Sequence, residues 1–521
     1  MRRLTDRVTT LILAGALLGG CATLPPNVER TASSAFLDTG DTRLGRAHRD
    51  EAEAHPGLSG VYLLASGLDA YVARAVLCEA ADRSIDVQYY LYHADKTGRF
   101  LTHQLLKAAD RGVRVRVLVD DMDMAGRDLG IAAFDAHPNA EVRIFNPFSR
   151  EAGRAGQFLS RYGSVTRRMH NKSFTVDNQR TIVGGRNIGD EYFETDPKID
   201  FADLDLLAVG PVVREVSAAF DEYWNSELAY PIGTLAEQVP TEEQVDKLRS
   251  GLRAYTDDLG DSDYAEALRE SDLATRLRER SVVFTWGKAR ALYDSPEKIL
   301  ADMDETDLHL SSQISPYFRN VKSELIISSP YFVPGRRGVE FLTGLAARGV
   351  KVRILTNSLA STDVGIVHTG YAKHRKALLR AGVELYEVND RLSRQQRRKK
   401  KGKEGGGAKA SLHAKTFVMD RENLFVGTLN LDPRALVHNT EIGIVVNSAD
   451  LASSMGRRFD ERIPEVAFRL ELYRDAWDDE RMRWVLKEGD GEKIYIHEPH
   501  VGFWRSLGIG LLGLLPIDSQ L

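Results

Sequence analysis

The stretch His170–Asn187 reads HNKSFTVDNQRTIVGGRN, and His413–Asn430 reads HAKTFVMDRENLFVGTLN. Both obey the pattern H-x-K-x4-D-x6-G-[GT]-x-N. Chemically demanding residues at one fixed spacing, found twice in a chain about 240 residues apart, mark two copies of one catalytic half. An enzyme is the leading reading.

The repeat continues upstream of the motif. ADRGVRVRVLVD (Ala109–Asp120) matches AARGVKVRILTN (Ala346–Asn357), and SIDVQYYLY (Ser84–Tyr92) corresponds to ELIISSPYF (Glu324–Phe332). The second pair is β-branched and aromatic, and of strand length. Each half thus reads as an apolar strand, a helix (Gly98–Arg111 or Gly338–Arg348), a turn at Gly112 or Gly349, and another apolar strand. Strands alternating with helices predict parallel β-α-β units. The expected class is α/β, with two pseudo-symmetric domains, each a mostly parallel sheet flanked by helices on both faces.

Two histidines brought together from two repeats can divide the labour of a displacement at phosphorus. One imidazole, unprotonated, attacks a phosphodiester and forms a phosphohistidine. The other, protonated, gives its proton to the departing alkoxide and then deprotonates the incoming alcohol or water. A pKa near neutrality suits His170 and His413 to both roles. Lys172 and Lys415 supply positive charge, and Asn187 and Asn430 supply amide donors, for the non-bridging oxygens. Such chemistry calls for no metal and no cofactor, and the chain has no H-E-x-x-H, Cys/His cluster or P-loop.

A catalytic imidazole also needs a carboxylate to fix its tautomer. Aligning the repeats after their Asn residues sets Asp203 (in FADLDLLAV) opposite Glu441 (in NTEIGIVV), and these are the candidates. Asp177 and Asp420 complete the motif and are counted with the catalytic set, although their place at a strand end suits a turn or salt bridge better. Gly184, Gly185 and Gly427 read as backbone-shaping residues. Among histidines outside the motif, His438 is the candidate to line the site, being close to Glu441.

The chain has 521 residues and a net charge of -5. It carries no global basic field of the kind used to coat nucleic acid. Two cysteines, Cys21 and Cys78, exclude a disulfide framework. MRRLTDR, the apolar run Leu11–Leu18 and Gly19-Gly20-Cys21 form a secretory signal over residues 1–20, too short to span a bilayer. Leu18–Cys21 resembles the lipobox of bacterial lipoproteins, in which Cys21 is lipidated and begins the mature chain. This predicts a Gram-negative cell-envelope protein, lipid-anchored through Cys21 and facing the periplasm. Ala22, in place of an Asp that favours inner-membrane retention, turns the preference to the outer membrane. The alternatives are an ordinary secretory signal or an uncleaved anchor.

The remaining organisation reads as a polar tether or loosely packed arm (21–57), a first catalytic domain (58–230), a helical linker without identifiable chemistry (231–280), a second catalytic domain (281–497) and an apolar C-terminal segment (498–521). Phe503–Leu515 suits a membrane interface or a docked helix. Two basic stretches, Arg150–Arg168 and Arg391–Lys409, end just before His170 and His413. They are solvated loops, or they attract anionic phospholipid, or they touch nucleic acid. The expected partners are anionic phospholipid and a membrane surface, with no nucleic acid, and the internal repeat allows a functional monomer.

The doubled motif resembles the signature of the phospholipase D superfamily, and the resemblance runs from about Leu58 to His497. RRMHNKSFTVDNQRTIVGGRNIGDEYF and SLHAKTFVMDRENLFVGTLNLDPRALVHNTEIG are similar to bacterial cardiolipin synthases, especially the C-type, as is the closing LLPIDSQL. The resemblance implies two phospholipase D-like domains with the active site between them. It implies transfer of a phosphatidyl group to phosphatidylglycerol, giving cardiolipin, with phosphatidylglycerol or phosphatidylethanolamine as donor. It also implies that His170 is the nucleophile and His413 the acid/base, a choice that the pseudo-symmetry of the sequence leaves open. Thr428 stands where Ser is usual and keeps the hydroxyl. The same residues permit a phospholipase D-type hydrolase, or more remotely a secreted nuclease or phosphodiesterase. A catalytically dead lipid-binding lipoprotein conflicts with two intact motifs.

Overall fold

The computed structural model describes residues 24–27, 30–151, 154, 157, 162–194, 199–260, 266, 270–391 and 409–502. Cys21, the signal segment, most of the second basic stretch and Phe503–Leu515 lie outside them.

The first half contributes strands β1 (Ser59–Leu64), β2 (Ser84–Tyr89), β3 (Arg114–Asp120), β4 (Ala140–Phe145), β5 (Ser173–Val176), β6 (Arg180–Gly184), β7 (Ile199–Ala202), β8 (Asp205–Val209) and β9 (Ala229–Pro231). The second half contributes β10 (Thr285–Tyr293), β11 (Glu324–Ser328), β12 (Lys351–Asn357), β13 (Glu384–Val388), β14 (Lys409–Leu412), β15 (Lys415–Met419), β16 (Asn423–Gly427), β17 (Ile442–Asn447), β18 (Ala467–Arg474), β19 (Glu480–Glu488) and β20 (Gly491–Tyr495). The helices Lys96–Asp110 and Gly335–Ala347 join β2 to β3 and β11 to β12, and those strand pairs are parallel, as are β3 with β4 and β12 with β13.

Each parallel trio is extended by antiparallel strands. In the first half β2 pairs with β5, β5 with β6, β6 with β8 and β8 with β1. In the second, β11 pairs with β15, β15 with β16, β16 with β17 and β17 with β10. The motif itself forms the hairpins β5–β6 and β15–β16, whose short loops are too brief for a crossover. β10 pairs through Thr285–Gly287 with β1 and through Lys288–Tyr293 with β17, so one strand joins the halves into an 18-stranded sheet. Each half has its own apolar core, and a third cluster draws Val61, Leu206 and Val216 from the first half together with Ile326, Val426 and Ile444 from the second. The burial of that shared cluster holds the two halves face to face.

Asp177 and Asp420 take up the turn role that their place at a strand end suggested. Asp177 and Asn178 have φ of 52° and 51°, and Asp420 and Arg421 have 55° and 54°. These are the paired left-handed residues of a tight hairpin turn, a conformation that Asp and Asn tolerate. The Asp177 carboxylate accepts the backbone N–H groups of Asp82, Arg83 and Ser84 at 3.0, 2.7 and 2.9 Å. Asp420 accepts those of Lys322, Ser323 and Glu324 in the same way. Each Asp thus ties its hairpin to the start of the neighbouring parallel strand.

The N-terminal arm is not a loose tether. Arg116 donates to Ser33 O at 3.0 Å, Ala35 N donates to Asp221 at 2.8 Å, and Asn27 donates to Glu227 O at 2.8 Å. Its polar composition conceals a backbone satisfied by the first domain. The linker 231–280 contains the helices Ile232–Leu235, Glu242–Gly260 and Asp272–Arg278, which pack on the first half through helices Asp128–Asp135, Lys96–Asp110 and Gly67–Ala80.

Replacing Asp177 with Ala leaves three N–H groups without their acceptor and is expected to destabilise the fold by about 1–3 kcal/mol. Denaturant unfolding should show the lower midpoint, while turnover per folded molecule stays within about twofold of the parent.

Candidate active site

The segment before each motif histidine crosses to the other half. β14 pairs in parallel with β7, and His413 N continues the ladder by donating to Ala202 O at 2.8 Å. On the symmetry-related side, Thr440 N donates to Arg168 O at 3.0 Å and His170 N donates to Thr440 O at 2.9 Å. Each histidine therefore lies one register step from the candidate carboxylate of the opposite half.

The carboxylates are exchanged as a result. His170 Nδ1 is 2.8 Å from Glu441 Oε2, and His413 Nδ1 is 2.6 Å from Asp203 Oδ2. With Nδ1–H donated to the carboxylate, Nε2 of each ring carries the lone pair suited to the chemistry. The edge of Tyr90 meets the His170 ring at 5.0 Å between centroids, and Tyr192 meets His413 at 5.2 Å. Both imidazoles are buried, with 9% and 6% exposure.

Lys172 Nζ donates to His170 O at 2.7 Å, and Lys415 Nζ donates to His413 O at 2.5 Å. Asn187 donates to the Tyr192 hydroxyl at 2.8 Å and accepts from Leu91 N at 3.2 Å. Asn430 is likewise buried beside the second motif. The structure thus assembles His170, Lys172, Asn187, Asp203, His413, Lys415, Asn430 and Glu441 along the junction of the halves. His438 ends the short helical turn Arg434–His438, half-buried, near this junction.

The motif glycines make room for this exchange. A Cβ on Gly185 would lie 2.2 Å from Asp203 Oδ1, and one on Gly427 would lie 2.5 Å from the Gly443 Cα. Thr428, the counterpart of Gly185, accepts from Ile442 N at 2.9 Å through its hydroxyl. It anchors the backbone next to Glu441.

Several contributors escaped the sequence reading. Asp120 and Asn357 end the aligned runs ADRGVRVRVLVD and AARGVKVRILTN. Asp120 pairs with Arg168 and accepts from Met169 N at 3.0 Å, while Asn357 accepts from Leu412 N at 2.9 Å. Each grips the residue preceding a motif histidine, and their shared place in the repeat was the available signal. Asp294 accepts from Glu441 N at 2.7 Å and pairs with buried Lys298 at 2.9 Å. It lies in a strand-and-turn stretch without any chemical pattern. Of the first basic stretch, Arg150 binds Asp121 and Asp128, Arg154 binds Asp121, Arg167 donates to the carbonyls of residues 298, 299 and 301, and Arg168 holds Asp120. These four guanidiniums are engaged internally, and Arg161 of the same stretch lies outside the described residues.

The two pairs differ electrically. Burial pushes the Glu441 carboxyl well up, and burial together with Lys172 and Lys415 pushes His170 well down. Burial also raises Asp203, but His413 and Lys415 outweigh it and hold that carboxyl at about 2. His413 is lowered, chiefly by burial and Lys415, while Asp203 acts in the opposite sense. His170 therefore resists protonation, whereas a proton on His413 faces an ionised carboxylate. Burial brings Lys172 to about 7 and Lys415 to about 8.

Two interlocked halves with paired His-Lys-Asn sets define a phospholipase D-like enzyme. The family model described as "Cardiolipin synthase, PLD-like domain" matches residues 76–224 and again residues 314–463. The chain is 39% identical over 476 residues to "Cardiolipin synthase C" of Escherichia coli (strain K12), covering 91% of this chain and 99% of that protein. It is 25% identical over 415 residues to "Cardiolipin synthase 2" of Staphylococcus epidermidis (strain ATCC 35984), covering 78% of this chain and 68% of that one. The crystal structure of phosphatidylserine synthase from Haemophilus influenzae Rd KW20 superposes with a TM-score of 0.55 at 13% identity, covering 92% of this chain and all of that one. The last comparison concerns the fold. The chain belongs to the phospholipase D-like cardiolipin synthase family.

The lysine values carry a test. An anionic phosphodiester raises the pKa of both lysines, so binding at pH 8 should take up about 1.4 protons, and at pH 6, where both are already charged, almost none. Calorimetric titration of the His170→Ala protein with a soluble phosphodiester, in buffers of different ionisation enthalpy, reads that uptake. Lys172→Met should reduce it by about two thirds.

Proposed function

We propose that the protein transfers a phosphatidyl group from phosphatidylglycerol or phosphatidylethanolamine to phosphatidylglycerol, forming cardiolipin through a phosphohistidine on His170. The observation that carries this reading is the pair of buried imidazoles, each held through Nδ1 by a carboxylate of the opposite half, in a chain of the cardiolipin synthase family. His170, kept unprotonated, attacks phosphorus through Nε2, and the P–O bond to the leaving alcohol breaks. His413, held against ionised Asp203, delivers its proton to that departing oxygen. The incoming glycerol hydroxyl then gives its proton to His413, its oxygen bonds phosphorus, and the P–N bond to His170 breaks. Lys172, Lys415, Asn187 and Asn430 are placed to hold the non-bridging oxygens in both steps.

Family membership implies a phospholipid substrate and a membrane-associated bacterial protein. Among the described residues, no helix is long and apolar enough to cross a membrane. The lipobox-like Cys21 supports attachment by lipid in the periplasm, with the outer membrane preferred, and residues 1–20 as a cleaved signal. Both halves of the site lie within one chain, which supports a functional monomer with catalytic domains 58–230 and 281–497.

Purified protein in mixed micelles with labelled phosphatidylglycerol, with and without phosphatidylethanolamine, should yield cardiolipin, and the His170→Ala variant should yield none. Release of glycerol or ethanolamine names the donor. Phosphatidic acid as sole product would make the protein a hydrolase, and no turnover of lipid would favour another phosphodiester. Asp203→Asn and Glu441→Gln should each cost about 10²–10⁴-fold in kcat with natural lipid. A p-nitrophenyl phosphodiester, whose leaving group needs no proton, should restore most of the first step to Asp203→Asn and little to Glu441→Gln. Equal restoration of both would reverse or erase the division of roles.

A further inference from the structure

The linker helix Glu242–Gly260 has no part in the chemistry above, yet it closes a cavity of about 510 Å³ against the first half. Sites for small ligands typically have about 300–1,000 Å³. Leu105, Val119 and Phe134 form the depth of the cavity and Leu252 of the linker helix covers it, each nine-tenths or more buried. The wall hydroxyls of Tyr92 and Thr102 bond each other at 2.9 Å. The interior therefore suits a long chain that asks for no hydrogen bonds.

The rim has the opposite character. His93, Arg99, Arg127 and Lys247 line it. His93 stands between Asp123 at 2.9 Å and Glu191 at 3.1 Å, and these partners push its imidazole up to about 10. Arg127 shares Asp123 at 2.9 Å. Asp95, Asp190 and Asp258 face Tyr255 of the same wall, so cations and carboxylates together make the mouth charged and polar. That mouth adjoins the catalytic junction: His93 N donates to Ile188 O at 2.9 Å, next to Asn187, and Glu191 precedes Tyr192, whose ring meets His413.

We propose that this cavity holds one acyl chain of the phospholipid engaged by the catalytic site, with the polar end of the lipid at the charged rim. The proposal rests on the reading of that site as a phosphatidyltransferase, and it gives the linker a role in selecting lipid by chain.

Gly130 and Gly251 line the cavity, and a Cβ at either meets nothing within 4 Å. Gly130→Phe and Gly251→Phe therefore add a ring at the cavity wall from two different helices. In a His170→Ala background, full-length protein is titrated with phosphatidylglycerol carrying one parinaroyl chain, a linear fluorescent acyl group. Each variant should weaken binding about tenfold, the effect of uncovering about two methylene groups. In the active background, turnover of dihexanoyl-phosphatidylglycerol should be unchanged, which also reports that the variants fold. Unchanged affinity for the parinaroyl lipid in both variants would overturn the proposal. Displacement of the probe by palmitate as readily as by phosphatidylglycerol would assign the cavity to free fatty acids and overturn it as well. Weakened binding in a protein that shows no transfer at all would keep the cavity assignment and remove the transferase reading alone.

Discussion

His170 and Glu441 come from opposite halves of the chain, as do His413 and Asp203, at 2.8 and 2.6 Å. Neither imidazole can be oriented until the halves are docked, because the carboxylate that fixes its tautomer belongs to the other one. The surrounding structure serves that requirement. β14 crosses to β7, the backbone before His170 crosses to Thr440, Asp120 and Asn357 grip those crossing segments, and Gly185 leaves space for the Asp203 carboxylate. The bridging strand β10 and the shared apolar cluster supply the docking energy.

Pseudo-symmetry of backbone does not extend to charge. A glutamate without its ionised form favoured sits beside one imidazole, and an aspartate held ionised sits beside the other. A two-step displacement at phosphorus needs that difference, since one imidazole must attack while the other carries the proton. Two buried lysines beside them would be costly as permanent cations, and their lowered pKa values let an arriving phosphate restore their charge.

Much of this was legible in the chain. The doubled motif located His170, Lys172, Asn187 and their partners, and alignment of the repeats reached Asp203 and Glu441. Which carboxylate faces which imidazole was not legible, because alignment gives equivalence within a repeat and says nothing of crossing between repeats. Asp177 and Asp420 read as turn residues from their place at a strand end, and the hairpin turns they form account for their fixed spacing. The parallel trios were readable from strand-helix alternation, while their antiparallel extensions depend on hairpins within the motif. The linker appeared featureless because its function is to cover a surface, and covering needs only a few apolar residues such as Leu248 and Leu252 among many charges.

The division of labour between His170 and His413 is tested most directly by mapping the covalent intermediate. Protein turning over phosphatidylglycerol labelled at phosphorus would be quenched in alkali, which preserves phosphohistidine, and digested for peptide analysis. The account predicts label on the peptide containing His170 and its loss in His170→Ala. Label on the peptide containing His413, with none at His170, would contradict it.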